Sequence, residues 1–140
     1  IMEEDPVPSR YYISKRYMDT MEERTRRNRS NGNGFGYEIR PVSGVSNAVV
    51  CGGMGIEKNL IVDERQKDLS SNSGRRGPAN EDYVRKMTPR DWARLQGFPD
   101  SFVLPVADTH LYKQLGNSVT VPVIEAIAKN IREVLSKDDA

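Results

Sequence analysis

The sequence predicts an α+β protein in which a small β-rich region is followed by helices. Three observations predict it. Apolar residues recur at helical spacing near the start of the chain and, more strongly, at its end. Between them lie short runs of β-branched and aromatic residues separated by Gly, Pro, Ser or Asn. Capping and stop residues then frame a second set of helices. The chain has 140 residues, enough for one modest domain or a piece of a larger one. A hydrophobic content of 36% and a mean hydropathy of −0.67 are low for a self-sufficient core of that length. Polar stretches around residues 22–33 and 64–82 concentrate the deficit.

Taken in order, "IMEEDPVPSRYY" opens acidic and broken by proline, and reads as a linker or extended arm. A helix follows, with Ser14 as candidate N-cap and Tyr17, Met18 and Met21 at helical spacing. Glu22 and Glu23 lie four residues before Arg26 and Arg27, and "NRSNGNG" ends the helix on a cationic tail. "GFGYEIRPV", "SNAVVCGG" and "NLIVD" read as three short strands of a small twisted sheet. "RQKDLSSNSGRRGPANED" reads as a mobile polar loop. "TPRDWARLQG" then has Thr88 as N-cap, Pro at the first position, Asp in the first turn and Gly97 as stop. "FPDSF" turns the chain, and "ADTHLYKQLG" gives a short helix from Asp108. The last helix, residues 121–135, places Val121, Ile124, Ile127, Ala128, Ile131 and Leu135 on one face. A stripe this strong, after so little sheet, calls for a partner surface.

Composition also excludes. No apolar run reaches the length of a membrane span, and no basic-then-apolar start suggests a secretion signal. A single cysteine, Cys51, excludes an intramolecular disulfide and a multi-cysteine metal site, so the expected compartment is reducing and cytoplasmic. Net charge is +1, but Arg24, Arg26, Arg27 and Arg29 cluster, as do Arg75 and Arg76. Such clusters are commonly solvated faces; with independent support they become candidate phosphate contacts.

"YKQLGNSVTVPV" places Gly116, Asn117 and Ser118 directly before the last helix. A cap alone needs only Thr120, with Pro122 tolerated in the first turn. The extra residues suggest a place where backbone and small polar groups approach something. By the residues alone, an Asx or Ser turn is the favoured explanation.

Two stretches carry a family resemblance. "RKMTPRDWARLQGFPDSF" (residues 85–102) resembles the ninth signature block of the DNA (cytosine-5) methyltransferases, and residues 112–123 resemble their tenth. "GNGFGYEIR" (residues 32–40) is similar to the start of the target-recognition region in bacterial members. Departures in the ninth block are Met87 for Leu, Asp91 for Glu, and Trp92 at a usually small position. In the recognition region, Ala48-Val49 or Val49-Val50 stands where the family commonly has Thr followed by Leu or Val.

The resemblance implies a division into residues 1–31 (linker and helix), 32–84 (target-recognition region) and 85–140 (both blocks and the last helix). It implies that the later helices pack back onto a Rossmann-like cofactor domain. It places Asn117, Ser118 and Val119 in the S-adenosyl-L-methionine pocket, near a helix N-terminus whose free N–H groups would suit the methionine carboxylate. Double-stranded DNA is the implied partner. Candidate contacts are Tyr37 and Arg40 in one glycine-rich loop, and Cys51, Gly52, Gly53, Met54 and Lys58 in another. Base flipping follows, since C5 and C6 of a stacked cytosine are out of reach.

The family's nucleophile lies in Pro-Cys-Gln, and its cofactor loop reads Phe-x-Gly-x-Gly; neither occurs here. Cys51 has no Pro before it and no Gln after it, and His110 is isolated. The expectation is therefore a C-terminal part of a restriction-modification-type enzyme, inactive alone and partnered by an N-terminal catalytic half. It contains no catalytic residue and no metal ligand. The competing readings are a non-enzymatic DNA-binding module with "TPRDWARLQG" as recognition helix, and an inactive methyltransferase relic. Trp92 and Leu95 argue against the first, because they call for burial of that helix.

Overall fold

The computed structural model describes residues 2–52, 55–66, 69 and 77–138. Among the described residues, four helices and one strand pair form the fold. α1 spans Lys15–Ser30, β1 Leu60–Val62, β2 Val84–Lys86, α2 Pro89–Leu95, α3 Asp108–Asn117 and α4 Val121–Asp138. Short 3-10 turns occupy Ser9–Tyr11 and Ile56–Asn59. The class is mixed α and β, as expected, with an antiparallel sheet.

That sheet is smaller than the sequence suggested. Among the described residues it has two strands, paired Leu60↔Lys86, Ile61↔Arg85 and Val62↔Val84. Of the three expected strands, "NLIVD" forms β1. "GFGYEIRPV" contributes one isolated parallel bridge, Ile39↔Leu60, before Pro41 and a turn closed by Gly44 N–H on the Pro41 carbonyl end the pairing. "SNAVVCGG" is no strand; it runs as irregular backbone up to Gly52. β2 was not expected, because its central Arg85 interrupts the apolar pattern. Of the expected mobile loop, residues 67, 68 and 70–76 lie outside the described residues.

Alternation along the strand pair sends side chains to opposite sides. Leu60 and Val84 pack with Ile13, Met18 and Met21 under α1. Ile61 faces the other way, into a cluster of Met87, Trp92, Ala93, Tyr112 and Leu115 that joins α2 to α3. Trp92 meets Tyr112 edge-on, with ring centroids 4.9 Å apart, and the Tyr112 hydroxyl donates to the Met87 carbonyl at 2.6 Å. The departure at Trp92 thus fills the α2–α3 seam. Each large aromatic in such a seam stabilises by roughly 3–5 kcal/mol relative to alanine.

Arg85, 0% exposed, sits on the same side as Ile61. Its Nε donates to Asp63 at 2.8 Å and its Nη1 to Asp91 at 2.9 Å. Asp91 also closes a reciprocal cap with Thr88: its Oδ2 accepts the Thr88 amide at 2.9 Å, and the Thr88 hydroxyl accepts the Asp91 amide at 3.0 Å. Aspartate in place of the family's glutamate is therefore long enough to close the box. The acidic N-terminal arm is built into the same hub. The Glu3 amide donates to Asp91 at 3.0 Å, and Arg65 donates to the Glu3 and Glu4 carbonyls. Val7, Tyr11 and Tyr12 are buried behind it.

α4 contrasts with everything else. Residues 121–137 are exposed or half-exposed, and Val123, Ile124, Ile127, Ile131, Val134 and Leu135 are each 47–60% exposed. No helix among the described residues is long and apolar enough to cross a membrane.

Candidate functional site

The segment between α3 and α4 is shaped by α2. The helix ends on Gly97, whose φ of +80° is the left-handed conformation that glycine adopts without strain. Gly97 N–H bonds to the Arg94 carbonyl and Phe98 N–H to the Ala93 carbonyl, a Schellman closure. The preceding Gln96, 7% exposed, holds the next two helices at three points. Its Nε2 donates to the Leu115 carbonyl at 3.1 Å, its Oε1 accepts the Thr120 hydroxyl at 2.8 Å, and its carbonyl accepts the Val121 amide at 2.8 Å. Gln96 therefore brackets residues 116–119 from both sides. Sequence reasoning missed it, although it lies in the quoted ninth block.

Two expectations about this segment change. The Thr120 hydroxyl does not cap α4, because it is taken by Gln96. Nor does α4 offer free first-turn donors: the Val121 amide goes to Gln96, Pro122 has none, and the Val123 and Ile124 amides turn back to the Thr120 carbonyl. The anion-binding argument from that helix N-terminus is thereby lost. The Ser118 hydroxyl likewise donates to the Leu115 carbonyl at 2.7 Å, closing the end of α3, which leaves its oxygen only as an acceptor. Asn117 and Val119 are exposed.

Of the candidate DNA-binding residues, Arg40 and Lys58 join one surface network. Glu38 accepts from Lys58 Nζ at 2.8 Å and from Asn47 Nδ2 at 3.1 Å, and pairs with Arg40 at 2.7 Å. Asn47 also donates to the Lys58 carbonyl at 2.6 Å and takes a hydrogen bond from Arg40. Hydrogen bonds from Lys58 and then Asn47 hold the Glu38 carboxyl below its ordinary range. Arg40 and Lys58 are thus brought together, but around a carboxylate. Beneath them, Asn59, 0% exposed, exchanges hydrogen bonds with the Asn47 backbone. Asn47 and Glu38 were not singled out from sequence, where nothing marks their pairing across 9 positions.

Tyr37 lies apart, in an open cavity of about 400 Å³ lined by Glu22, Thr25, Arg26, Arg29, Tyr37 and Ile39. Arg26, Arg27 and Arg29 are exposed, whereas Arg24 is ion-paired with the buried Glu57. Arg24 is therefore removed from the phosphate-contact candidates. A larger cavity, about 490 Å³, opens at the start of α1 between Arg10, Tyr17, Glu57 and Lys86, and none of the candidate cofactor or DNA contacts lines it. Cys51 and Gly52 are exposed at the end of the irregular segment. Gly53, Met54, Arg75 and Arg76 lie outside the described residues. Among the described residues, no group of His, Cys, Asp and Glu could hold a metal ion.

The family profile described as C-5 cytosine-specific DNA methylase matches residues 1–133. The Type II methyltransferase M.HpaII of Haemophilus parainfluenzae is 54% identical over 135 residues, covering 96% of this chain and 38% of that protein. The Type II methyltransferase M1.ScrFI of Lactococcus lactis subsp. cremoris is 37% identical over 135 residues, covering 96% of this chain and 31% of that protein. Among solved structures, the S. pombe Dnmt2 methyltransferase superposes with a TM-score of 0.67 at 20% identity, over 96% of this chain and 41% of the other. The Entamoeba histolytica methyltransferase EhMeth gives 0.59 at 15% identity, over 96% and 39%. The chain spans less than two fifths of the length of these curated relatives. By its sequence match and its fold, this chain belongs to the family of C-5 cytosine-specific DNA methylases.

Proposed function

We propose that the chain supplies target recognition and one wall of the cofactor pocket to an S-adenosyl-L-methionine-dependent DNA cytosine-5 methyltransferase. The nucleophilic cysteine would come from a catalytic half of the same enzyme. The observation that carries this reading is α4. A row of aliphatic side chains, each about half exposed, ends a chain whose other helices bury theirs. Covering such a face with the cofactor domain would stabilise the assembly by roughly 1.5–3 kcal/mol per fully buried side chain. The division at residues 31/32 and 84/85 belongs to the same proposal. So does the docking of residues 85–140 on a Rossmann-like domain.

The cofactor would supply an electrophilic methyl group. Around it, this chain's part is to bind and orient. Asn117 offers an exposed amide side chain, and the Ser118 oxygen is left to accept. The backbone amides of Val119 and Thr120 have no acceptor among the described residues, so they suit a carboxylate better than α4 does. On the DNA side, Arg26, Arg27 and Arg29 would meet phosphates, while Tyr37, Arg40, Lys58 and residues 51–54 would approach base edges. Glu38 would hold Arg40 and Lys58 in place until DNA competes for them. α2 is no groove-reading helix, because Pro89, Asp91, Trp92 and Ala93 are buried. That disfavours a stand-alone DNA-binding module.

The test is Asn117→Ala in the full-length protein. Loss of one hydrogen bond to a charged ligand should weaken S-adenosylhomocysteine binding by about ten- to a hundredfold, at an unchanged melting temperature. Calorimetric titration beside a thermal melt reads both. Unchanged affinity with lowered stability would return Asn117 to a turn-forming role.

A further inference from the structure

Gly116 occupies a place where no side chain fits. A Cβ built on it would lie 2.5 Å from the Cys51 nitrogen, 2.7 Å from the Cys51 Cα and 2.8 Å from the Val50 carbonyl carbon. All three are backbone atoms, so nothing can rotate away. The last turn of α3 is therefore seated directly on the backbone of the irregular segment that leads into residues 51–58. Both sides of the contact are anchored. On one side, Gln96 grips the Leu115 carbonyl and the Thr120 hydroxyl. On the other, Val49 packs against the Ile61–Trp92–Tyr112–Leu115 cluster, and a Cβ built on Gly55 would lie 2.5 Å from the Val50 carbonyl oxygen.

The sequence places candidate DNA contacts in residues 51–58 and candidate cofactor contacts in residues 117–119, some 60 positions apart and without any motif joining them. The fold sets Gly116, directly before the second segment, against the backbone of Cys51, at the start of the first. We infer that Gly116 is a positioning residue that couples the two. Occupancy of the cofactor segment fixes the seat of the DNA-recognition segment, and by reciprocity DNA bound there fixes the cofactor segment. Coupling follows from the absence of slack. With no side chain between two anchored backbones, a displacement of Asn117 is passed to Cys51 without a rotamer change to absorb it. This inference rests on the cofactor and DNA roles proposed above, and goes beyond them in naming where they meet.

The test is hydrogen–deuterium exchange on the full-length protein, with and without saturating S-adenosylhomocysteine, followed in peptides covering residues 46–60. Wild-type protein should exchange more slowly there when the ligand is bound, by about fivefold or more. Gly116→Ala should still bind the ligand, measured by calorimetry, while the ligand-dependent slowing at residues 46–60 falls to within about twofold of none. General destabilisation would raise exchange across the protein in both states without erasing that difference. Gly55→Ala provides the second variant, because it wedges the same segment from its far side and leaves α3 untouched; it should lose the slowing as well. Equal slowing in wild type and both variants would overturn the inference, as would ligand binding to wild type without slowing. Absence of ligand binding to wild type would overturn the cofactor assignment itself, and the inference with it.

Discussion

α2 and α4 begin alike and live in opposite surroundings. Each carries a proline in its first turn, at Pro89 and Pro122, and each follows a threonine. Yet Trp92 at the centre of α2 is 1% exposed, while Ile127 at the centre of α4 is 48% exposed. The difference lies in what this chain contains. α2 finds its partners within it: a seam with Tyr112, a reciprocal cap with Thr88 and an ion pair through Asp91. α4 touches the rest chiefly at its start, where Gln96 takes the Val121 amide and Gly97 abuts Pro122. An apolar face can thus be folding information for this chain or association information for another, and helical periodicity alone does not tell the two apart.

The contrast breaks most visibly at the ionic anchor of α2. Arg85→Ala should leave Asp63 and Asp91 buried without their shared cation, at a cost of about 3–5 kcal/mol. Urea unfolding of this chain would show it as a large fall in midpoint; a fall below about 1 kcal/mol would mean that the carboxylates are satisfied without Arg85.

Acid should act on the same anchor. Burial pushes the Asp63 carboxyl up, but hydrogen bonds from Arg65 and Arg85 outweigh it and hold the group well below the ordinary carboxylate range. A carboxyl depressed in the folded state contributes stability above its unfolded pKa, and that contribution fades as pH falls through the ordinary range and below. The melting temperature should therefore drop between about pH 5 and pH 2, and drop less steeply in Asp63→Asn. Parallel acid profiles for the two proteins would contradict the assignment.

On the recognition side the expected effect is smaller. Arg26→Ala with Arg27→Ala should weaken binding of the full-length protein to all duplexes about equally, lowering the salt-dependence slope by roughly one unit per lost contact. A slope that stays the same would return these arginines to a solvated surface. The smallest effect belongs to α4. Ile127→Ser should change the stability of this chain by no more than about 0.5 kcal/mol. In the full-length protein the same change should lower the melting temperature measurably, because the proposed docking would cover the face there. Equal, small effects in both settings would sink the idea that α4 docks on the catalytic half.

Local signals fixed much of the fold in advance. Ser14 caps α1 by accepting the Tyr17 amide, Thr88 opens α2, and Gly97 closes it, since each acts through hydrogen bonds within a few residues. The buried Met18 and Met21 of α1 followed from periodicity. The family blocks were legible for the same reason, being contiguous in sequence. β2 was hidden because a strand carrying a buried arginine looks polar until Asp63 and Asp91 are found beside it, and those partners come from 22 positions before and 6 after. The expected strand at "SNAVVCGG" failed because β propensity needs a neighbouring edge, and these residues lie instead under the end of α3.

What the sequence determined by itself was the capping of α1 and α2, the apolar periodicity of α1 and α4, and the membership of a methylase family. What only the tertiary structure decided was which polar groups remain available. It gave the Thr120 hydroxyl and the Val121 amide to Gln96, tied Arg24 to Glu57, and set Gly116 on the Cys51 backbone. The physical reason is that a hydrogen-bonding group has few partners to give, and distant residues claim them only once the chain has folded.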